Sequence, residues 1–164
     1  MRKIGLLLIV VLSISFAGYS QAPDISGVWI PVKLHWDHAP RSVDPHLSDS
    51  QVELLWFLSN GKLILMYCTI YRRMETWAVS AGDSEAVYSG SWKATGSTAE
   101  IAYRLIYRDV ATTGDQSQAY GQHSGKVRIV NRDQIVLEGV RFRPEPRLEV
   151  SAKQQAGPFL NTNQ

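Results

Sequence analysis

The sequence predicts an all-β protein, a single antiparallel up-and-down meander that closes into a barrel. The main observation is a period-two pattern on both sides of a turn at Gly96, which indicates two paired strands over residues 85–108. A second hairpin is indicated by the Asn60-Gly61 turn between two apolar runs. Closure of the meander removes the exposed edges that an open sheet of this kind presents to other chains.

The two strands around Gly96 have a predictable register. Pairing Ala94 with Ala99 across the turn places the apolar residues of both arms on one face. The partners predicted further along are Trp92 with Ile101, Gly90 with Tyr103, and Tyr88 with Leu105.

The other elements are less sharply marked. Further strands are predicted at residues 23–32, 51–58, 62–72, 76–79, 120–130, 135–142 and 148–150. Residues 33–50 lack periodicity and are interpreted as a long loop of the kind that serves as a lid. Residues 51–58 and 62–72 are apolar on both faces, so the pattern leaves open which face points inward. An outer apolar face would be covered if the long loop packs against it.

The N-terminus predicts export. Arg2 and Lys3 precede a short apolar run, and small residues follow at Ser20 and Ala22, which is typical of a secretory signal peptide over residues 1–22. An uncut membrane anchor is the alternative. The expected organisation is a barrel domain over residues 23–150 and a disordered tail over 151–164, in a secreted or periplasmic protein without a stable membrane anchor after cleavage.

The charge balance disfavours nucleic acid as a partner. The chain holds 17 Lys+Arg and 15 Asp+Glu, and loss of Arg2 and Lys3 with the signal peptide makes these numbers equal. Nucleic-acid binding depends on clustered basic residues, and the sequence shows no basic stripe. The single cysteine, Cys68, excludes an intramolecular disulfide, and its apolar neighbours predict a buried structural thiol.

Three sequence features together resemble small bacterial lipocalin-like domains of the calycin type. They are Gly27-Val28-Trp29 in the first strand, Gly61-Lys62-Leu63 after an apolar strand, and Tyr88-Ser-Gly-Ser-Trp92 before Gly96 and a tyrosine-rich strand. The resemblance covers about residues 25–142. It implies a lipocalin-like barrel whose floor is closed by the indole of Trp29 against an arginine, either Arg141 or Arg143. The sequence departs from the family by lacking a late Thr-Asp-Tyr-like motif and by predicting no helix after the last strand.

The aromatic stripe is the best candidate binding site. Buried tyrosine hydroxyls require partners, so several inward tyrosines indicate an interior that holds water or a ligand. The alternative is that the rings simply fill the barrel. The predicted function is non-catalytic binding of a small apolar or amphipathic molecule, with no cofactor, and the predicted ligand-binding residues are Tyr67, Trp92, Tyr103 and Tyr107.

Other chemistries are weaker alternatives. The loop histidines do not match the spacing of a recognised metal site, so no metal is predicted; they are His35, His38 and His46, with Asp37 and Asp44 between them. Glu53 and Glu138 are candidate acid/base groups if they meet in one pocket, which would make the barrel a small enzyme. A third alternative is a structural or interaction module of the envelope that works through an exposed strand edge or an apolar outer patch, as the doubly apolar hairpin around Asn60 suggests.

Overall fold

A computed structural model describes residues 22–38, 47–79, 86–108 and 121–160. The predicted signal peptide, except Ala22, lies outside these ranges. The described strands are β1 (Gly27–Pro31), β2 (Asp37–His38), β3 (Leu47–Phe57), β4 (Lys62–Arg73), β5 (Thr76–Val79), β6 (Ala86–Thr95), β7 (Thr98–Arg108), β8 (Gln122–Asn131), β9 (Gln134–Leu137) and β10 (Val140–Pro144). A short 3-10 helix (Pro146–Leu148) leads into the helix α1 (Glu149–Leu160).

The described strands form one antiparallel sheet that closes on itself. The sheet order is β2-β3-β1-β10-β9-β8-β7-β6-β4-β5, and β3 also pairs with β4. The β3–β4 pairing completes an eight-stranded barrel, while β2 and β5 extend the β3–β4 hairpin beyond it. The predicted all-β meander and its closure are therefore confirmed, and the barrel is compatible with a lipocalin-like fold.

The hairpin around Gly96 has the predicted register. Ala94 pairs with Ala99, and the partners at Trp92, Gly90 and Tyr88 are those expected from the sequence. A β-bulge between Val87 and Tyr88 shifts the register at the far end of the pair. The strand predicted at Thr76–Val79 is also confirmed.

The turn at Asn60-Gly61 differs from the predicted two-residue type I′ turn. Leu58 N–H donates to Lys62 O at 2.9 Å, so residues 59–61 form a three-residue turn. Only Gly61 takes a positive φ, +80°, while the Asn60 side chain accepts a hydrogen bond from Lys62 N–H at 3.0 Å. Three-residue hairpin turns commonly end with one residue, usually glycine, in the left-handed region.

Residues 135–142 form a hairpin and not the predicted single strand. Glu138 and Gly139 have φ values of 49° and 84°, which reverse the chain between β9 and β10. The predicted loop at 33–50 is likewise shorter, because β2 and the first four residues of β3 lie within it. Residues 39–46 of that loop lie outside the described ranges.

Two buried clusters explain why β3 and β4 are apolar on both faces. Leu55 and Leu65 point into the barrel, where Trp29, Phe57 and Phe142 are almost completely buried. The opposite face carries buried residues that belong to a second cluster outside the barrel. Its members from these two strands are Val52, Leu54, Trp56, Ile64, Met66, Cys68 and Ile70.

Helix α1 covers this outer cluster, which corrects the prediction for the C-terminus. Leu148, Ala152 and Ala156 recur every fourth residue, are fully buried and pack in the same cluster. Ser151 Oγ accepts a hydrogen bond from Val79 N–H at 2.9 Å, which joins the helix to β5. The predicted strand at 148–150 and the predicted disorder at 151–160 are therefore wrong, while residues 161–164 lie outside the described ranges.

The implied contact between Trp29 and an arginine is not formed. The Trp29 indole lies inside the barrel and donates to Ile25 O at 2.8 Å. Phe142 also points inward, so its neighbours Arg141 and Arg143 point outward by the alternation of a strand. Neither arginine can therefore close the barrel floor against Trp29.

Candidate functional site

Polar and aromatic side chains gather inside the barrel at the end opposite the Gly61 and Gly96 turns. The register places Glu53 of β3 beside Tyr67 of β4, and Tyr103 of β7 beside His123 of β8. Tyr88 of β6 lies between these two pairs. This group is called the mouth cluster, and its members are Glu53, Tyr67, Tyr88, Tyr103 and His123.

The rings of the mouth cluster are in direct contact. Tyr88 meets Tyr67 and Tyr103 edge to face, with centroid distances of 6.0 and 5.7 Å and interplanar angles of 71° and 87°. His123 stacks on Tyr103 at 5.4 Å with an angle of 20° and approaches Tyr88 at 6.0 Å. These separations lie in the range in which aromatic pairs attract each other.

Gly90 makes this arrangement possible. It lies opposite Tyr103, and a Cβ at Gly90 would be 1.9 Å from Ala102 O and 2.6 Å from the Cα of Tyr103. Only glycine allows β6 and β7 to approach so closely at this position. The close approach of the two backbones at Tyr103 therefore depends on the glycine at position 90.

One buried polar atom in the mouth cluster has no partner among the described residues. The Nε2 atom of His123 is inaccessible to solvent and makes no hydrogen bond there. An unsatisfied buried donor or acceptor costs about 1–3 kcal/mol, and most such atoms in folded proteins are satisfied. The imidazole is therefore a feature that a bound molecule can satisfy.

The electrostatic environment of the mouth cluster is negative. Burial raises the pKa of Glu53, and the nearby carboxylate of Glu138 raises it further. Burial, followed by the charge of Glu53, raises the pKa of Tyr67 to about 12. Tyr103 also has a raised pKa, first through burial and then through Glu138 and Glu53. The two carboxylates thus act on the same group of tyrosines.

Two concavities lie near these strands. One of about 190 Å³ lies at the β3–β4 pair, and it is lined by Gln51, Val52, Glu53, Tyr67 and Cys68. Another of about 640 Å³ lies along β6, β7 and β8, and its lining includes the exposed Glu100 and Lys126 as well as Trp92, one of the predicted ligand-binding residues. No residue of the mouth cluster lines this second concavity.

The structure unites only two of the predicted ligand-binding residues. Tyr67 and Tyr103 both contact Tyr88 in the mouth cluster. Trp92 lies at the other end of the barrel, where it packs on Phe57 at 5.5 Å and donates to Leu58 O at 2.9 Å. Tyr107 is 44% exposed and pairs across the sheet with Val87.

His123 is the site residue that the sequence prediction missed. Its alternation with Gly125, Val127 and Ile129 places it on the inward face of β8, and this pattern is readable in the sequence. Glu53 is one of the acid/base candidates that the sequence indicates, but its proximity to Tyr103 of β7 depends on the closure of the barrel.

The candidate metal ligands are not assembled in the described part of the chain. Within those residues, no group of three His, Cys, Asp or Glu side chains is placed to hold a metal ion. Asp44 and His46, and the side chains of Asp37 and His38, lie outside the described set. Cys68 is buried in the outer cluster, and burial raises the pKa of its thiol to about 12.

Across residues 22–38, 47–79, 86–108 and 121–160, no helix has the length and hydrophobicity needed to cross a membrane. Comparison of the chain with models of protein families, with curated proteins and with solved structures gave no match.

Proposed function

We propose that the protein is an exported, non-catalytic carrier whose lipocalin-like barrel binds a small amphipathic molecule at the mouth cluster. The observation that carries this proposal is the buried Nε2 atom of His123, which has no partner among the described residues and whose ring contacts those of Tyr88 and Tyr103. Such a combination offers a ligand both apolar contact and a directed hydrogen bond, which is typical of small-molecule sites.

The distribution of side chains favours this end of the barrel. Near the Gly61 and Gly96 turns, Phe57 and the partly buried Trp92 occupy the interior together with Trp29. Toward the other end, tyrosines occupy the interior positions, and Tyr67 is 40% exposed. A ligand that enters from this end would meet polar and aromatic groups first and the apolar floor below them.

The proposed export and family likeness rest on the sequence. The leader of residues 1–22 supports release into the periplasm or the medium, and the Gly27-Val28-Trp29 motif begins a strand of a closed barrel as the resemblance implies. We therefore include both in the proposal.

Native mass spectrometry tests the proposed function. The protein is purified gently from its own host, and its native mass is compared with its mass after denaturation. A reproducible extra mass that disappears on unfolding is expected. His123→Phe retains a ring but removes Nε2, so it should lose the extra mass, whereas Glu100→Gln, an exposed position outside the mouth cluster, should keep it. An extra mass that His123→Phe retains in full would contradict the proposed site.

A small enzyme is the second candidate, and one observation favours it. Glu53 has a raised pKa, and Glu138 is close enough to contribute to that shift. A carboxyl group of this kind is suited to proton transfer. Turnover of the released molecule by the purified protein, lost in Glu53→Gln, would identify an enzyme in place of a carrier.

The third alternative, a structural or interaction module of the envelope, receives no support from an apolar outer patch around Phe57 and Ile64, because both residues are fully buried. The doubly apolar hairpin is instead explained by the barrel interior on one side and the cluster under α1 on the other.

A further inference from the structure

We propose that the mouth cluster binds a small organic cation, a protonated amine, whose ammonium group is held by Glu53 and by the faces of the tyrosine rings. This inference rests on the proposed ligand-binding function and specifies its ligand class. It is carried by three features of the site: the ring geometry, the excess of negative charge and the orphaned imidazole nitrogen.

The rings form a corner suited to a cation. Tyr88 stands at 71° to Tyr67 and at 87° to Tyr103, while His123 lies nearly parallel to Tyr103. Aromatic faces carry negative electrostatic potential, and rings at right angles present more than one surface to the same volume. A cation within about 6 Å of such faces is attracted, and the attraction is stronger where water is excluded.

The charge of the site selects a positive ligand. Glu53 lies in the partly buried interior, and Glu138 in the β9–β10 turn is near enough to disfavour its ionisation. Burial and this second carboxylate both raise the pKa of Glu53. A bound ammonium group would offset both effects by its charge, a neutral hydrogen-bond donor would offset them less, and an anion would be repelled.

The imidazole of His123 favours an amine that carries N–H groups over a quaternary ammonium. When neutral and protonated on Nδ1, it presents Nε2 as a hydrogen-bond acceptor. An ammonium N–H can donate to this buried atom, whereas a quaternary nitrogen has no proton to donate. The absence of a three-ligand group of His, Cys, Asp or Glu among the described residues makes an organic cation a better match than a metal ion.

Three ligands with one carbon skeleton test the inference at neutral pH by isothermal titration calorimetry. They are 2-phenylethylamine, which is cationic, 2-phenylethanol, which is neutral, and phenylacetate, which is anionic. The amine should bind at least about tenfold more tightly than the alcohol, because cation–π and carboxylate contacts both act on it. The carboxylate should bind most weakly.

Glu53→Gln and Glu100→Gln form a matched pair of variants. Glu53→Gln should remove most of the preference for the amine and leave the affinity for the alcohol unchanged. Glu100 is exposed on the outside of the barrel, where it pairs with Lys126 at 3.8 Å, so Glu100→Gln should retain the preference. In the unmodified protein, the amine should also shift the NMR signals of the His123 ring, a readout that does not depend on how a variant folds.

The outcomes separate the ligand class from the proposed function. Equal or tighter binding of the alcohol or the carboxylate would overturn the cation inference and leave the carrier proposal standing. The inference would also be wrong if Glu53→Gln kept the full preference, or if none of the three ligands bound. In the last case, the mass measurement on protein from its own host decides independently whether the barrel carries a molecule at all.

Discussion

The carboxylate of Glu145 accepts two hydrogen bonds from the guanidinium of Arg147, at 2.6 and 2.7 Å. Its Oε2 also accepts from Arg143 at 2.7 Å, and the Glu145 residue is only 2% exposed. The Arg147 guanidinium lies 4.1 Å from the ring centroid of Trp77 on β5. Glu145 thus connects β10 with the segment that leads into α1, and Arg147 connects that segment with β5.

Replacing Glu145 tests this connection. Glu145→Ala leaves two guanidinium groups without their buried acceptor, and it should lower the free energy of unfolding by about 2 kcal/mol. Glu100→Ala is the matched control, since it removes an exposed ion pair worth no more than about 1 kcal/mol. Urea denaturation of both variants gives the comparison. Equal effects of the two substitutions would show that Glu145 adds no special stability.

The contributions of Glu53 and Glu145 to the free energy of unfolding should change with pH in opposite directions. Burial raises the pKa of Glu145, but hydrogen bonds from Arg147 and Arg143 outweigh it, so the folded pKa lies below 4.5. The stability it contributes is present above pH 4.5 and is lost as pH falls through the folded pKa. Glu53 has a folded pKa above 4.5, so the wild-type protein loses stability as pH rises from 4.5 through that value.

Glu53→Gln should therefore make the free protein more stable at neutral pH and leave its stability unchanged at pH values below 4.5. Urea denaturation at several pH values measures this difference. A variant that is less stable than the wild type at neutral pH would show that the ionised carboxylate makes favourable contacts in the ligand-free barrel. Such a result would also weaken the case for an uncompensated charge at the mouth cluster.

Gly90 and Gly125 provide a paired test of the close strand approach. An added Cβ at Gly90 would overlap the backbone of β7, whereas at Gly125 its nearest neighbour is a side-chain carbon of Ile101 at 3.5 Å. Gly90→Ala should destabilise the protein by about 3 kcal/mol because backbone atoms must move apart. Gly125→Ala should change stability by less than about 1 kcal/mol. Thermal unfolding followed by circular dichroism distinguishes them.

The packing of helix α1 on the barrel can be tested by placing an aspartate once on its buried face and once on its exposed face. Ala152 is fully buried in the outer cluster and its neighbour Lys153 is exposed. Ala152→Asp should cost about 3 kcal/mol, since it places a carboxylate against apolar residues of the sheet. Lys153→Asp should cost less than about 1 kcal/mol. If α1 does not pack on the barrel in solution, the two variants will have the same stability.

The sequence predicted those elements whose evidence lies within one hairpin. The register from Tyr88 to Leu105 was predictable because alternation and a glycine turn determine which residues face each other. The β9–β10 turn was missed because glutamate is unusual at positive φ. Of the two turn residues, only Gly139 is a sequence signal for a turn. Helix α1 was missed because its buried stripe consists of Ala152 and Ala156 below Leu148, and alanine gives a weak hydrophobic pattern.

The sequence by itself determined the fold class and the inward face of the tyrosine-rich strand, because a period of two is a local property of the chain. Only the tertiary structure decided that Glu53 and His123 lie in one cluster of tyrosine rings and that Trp92 lies at the opposite end. The physical reason is that barrel closure, through the pairing of β1 with β10, sets the height of each side chain around the barrel. That height depends on strand partners that are distant in sequence, which no local pattern records.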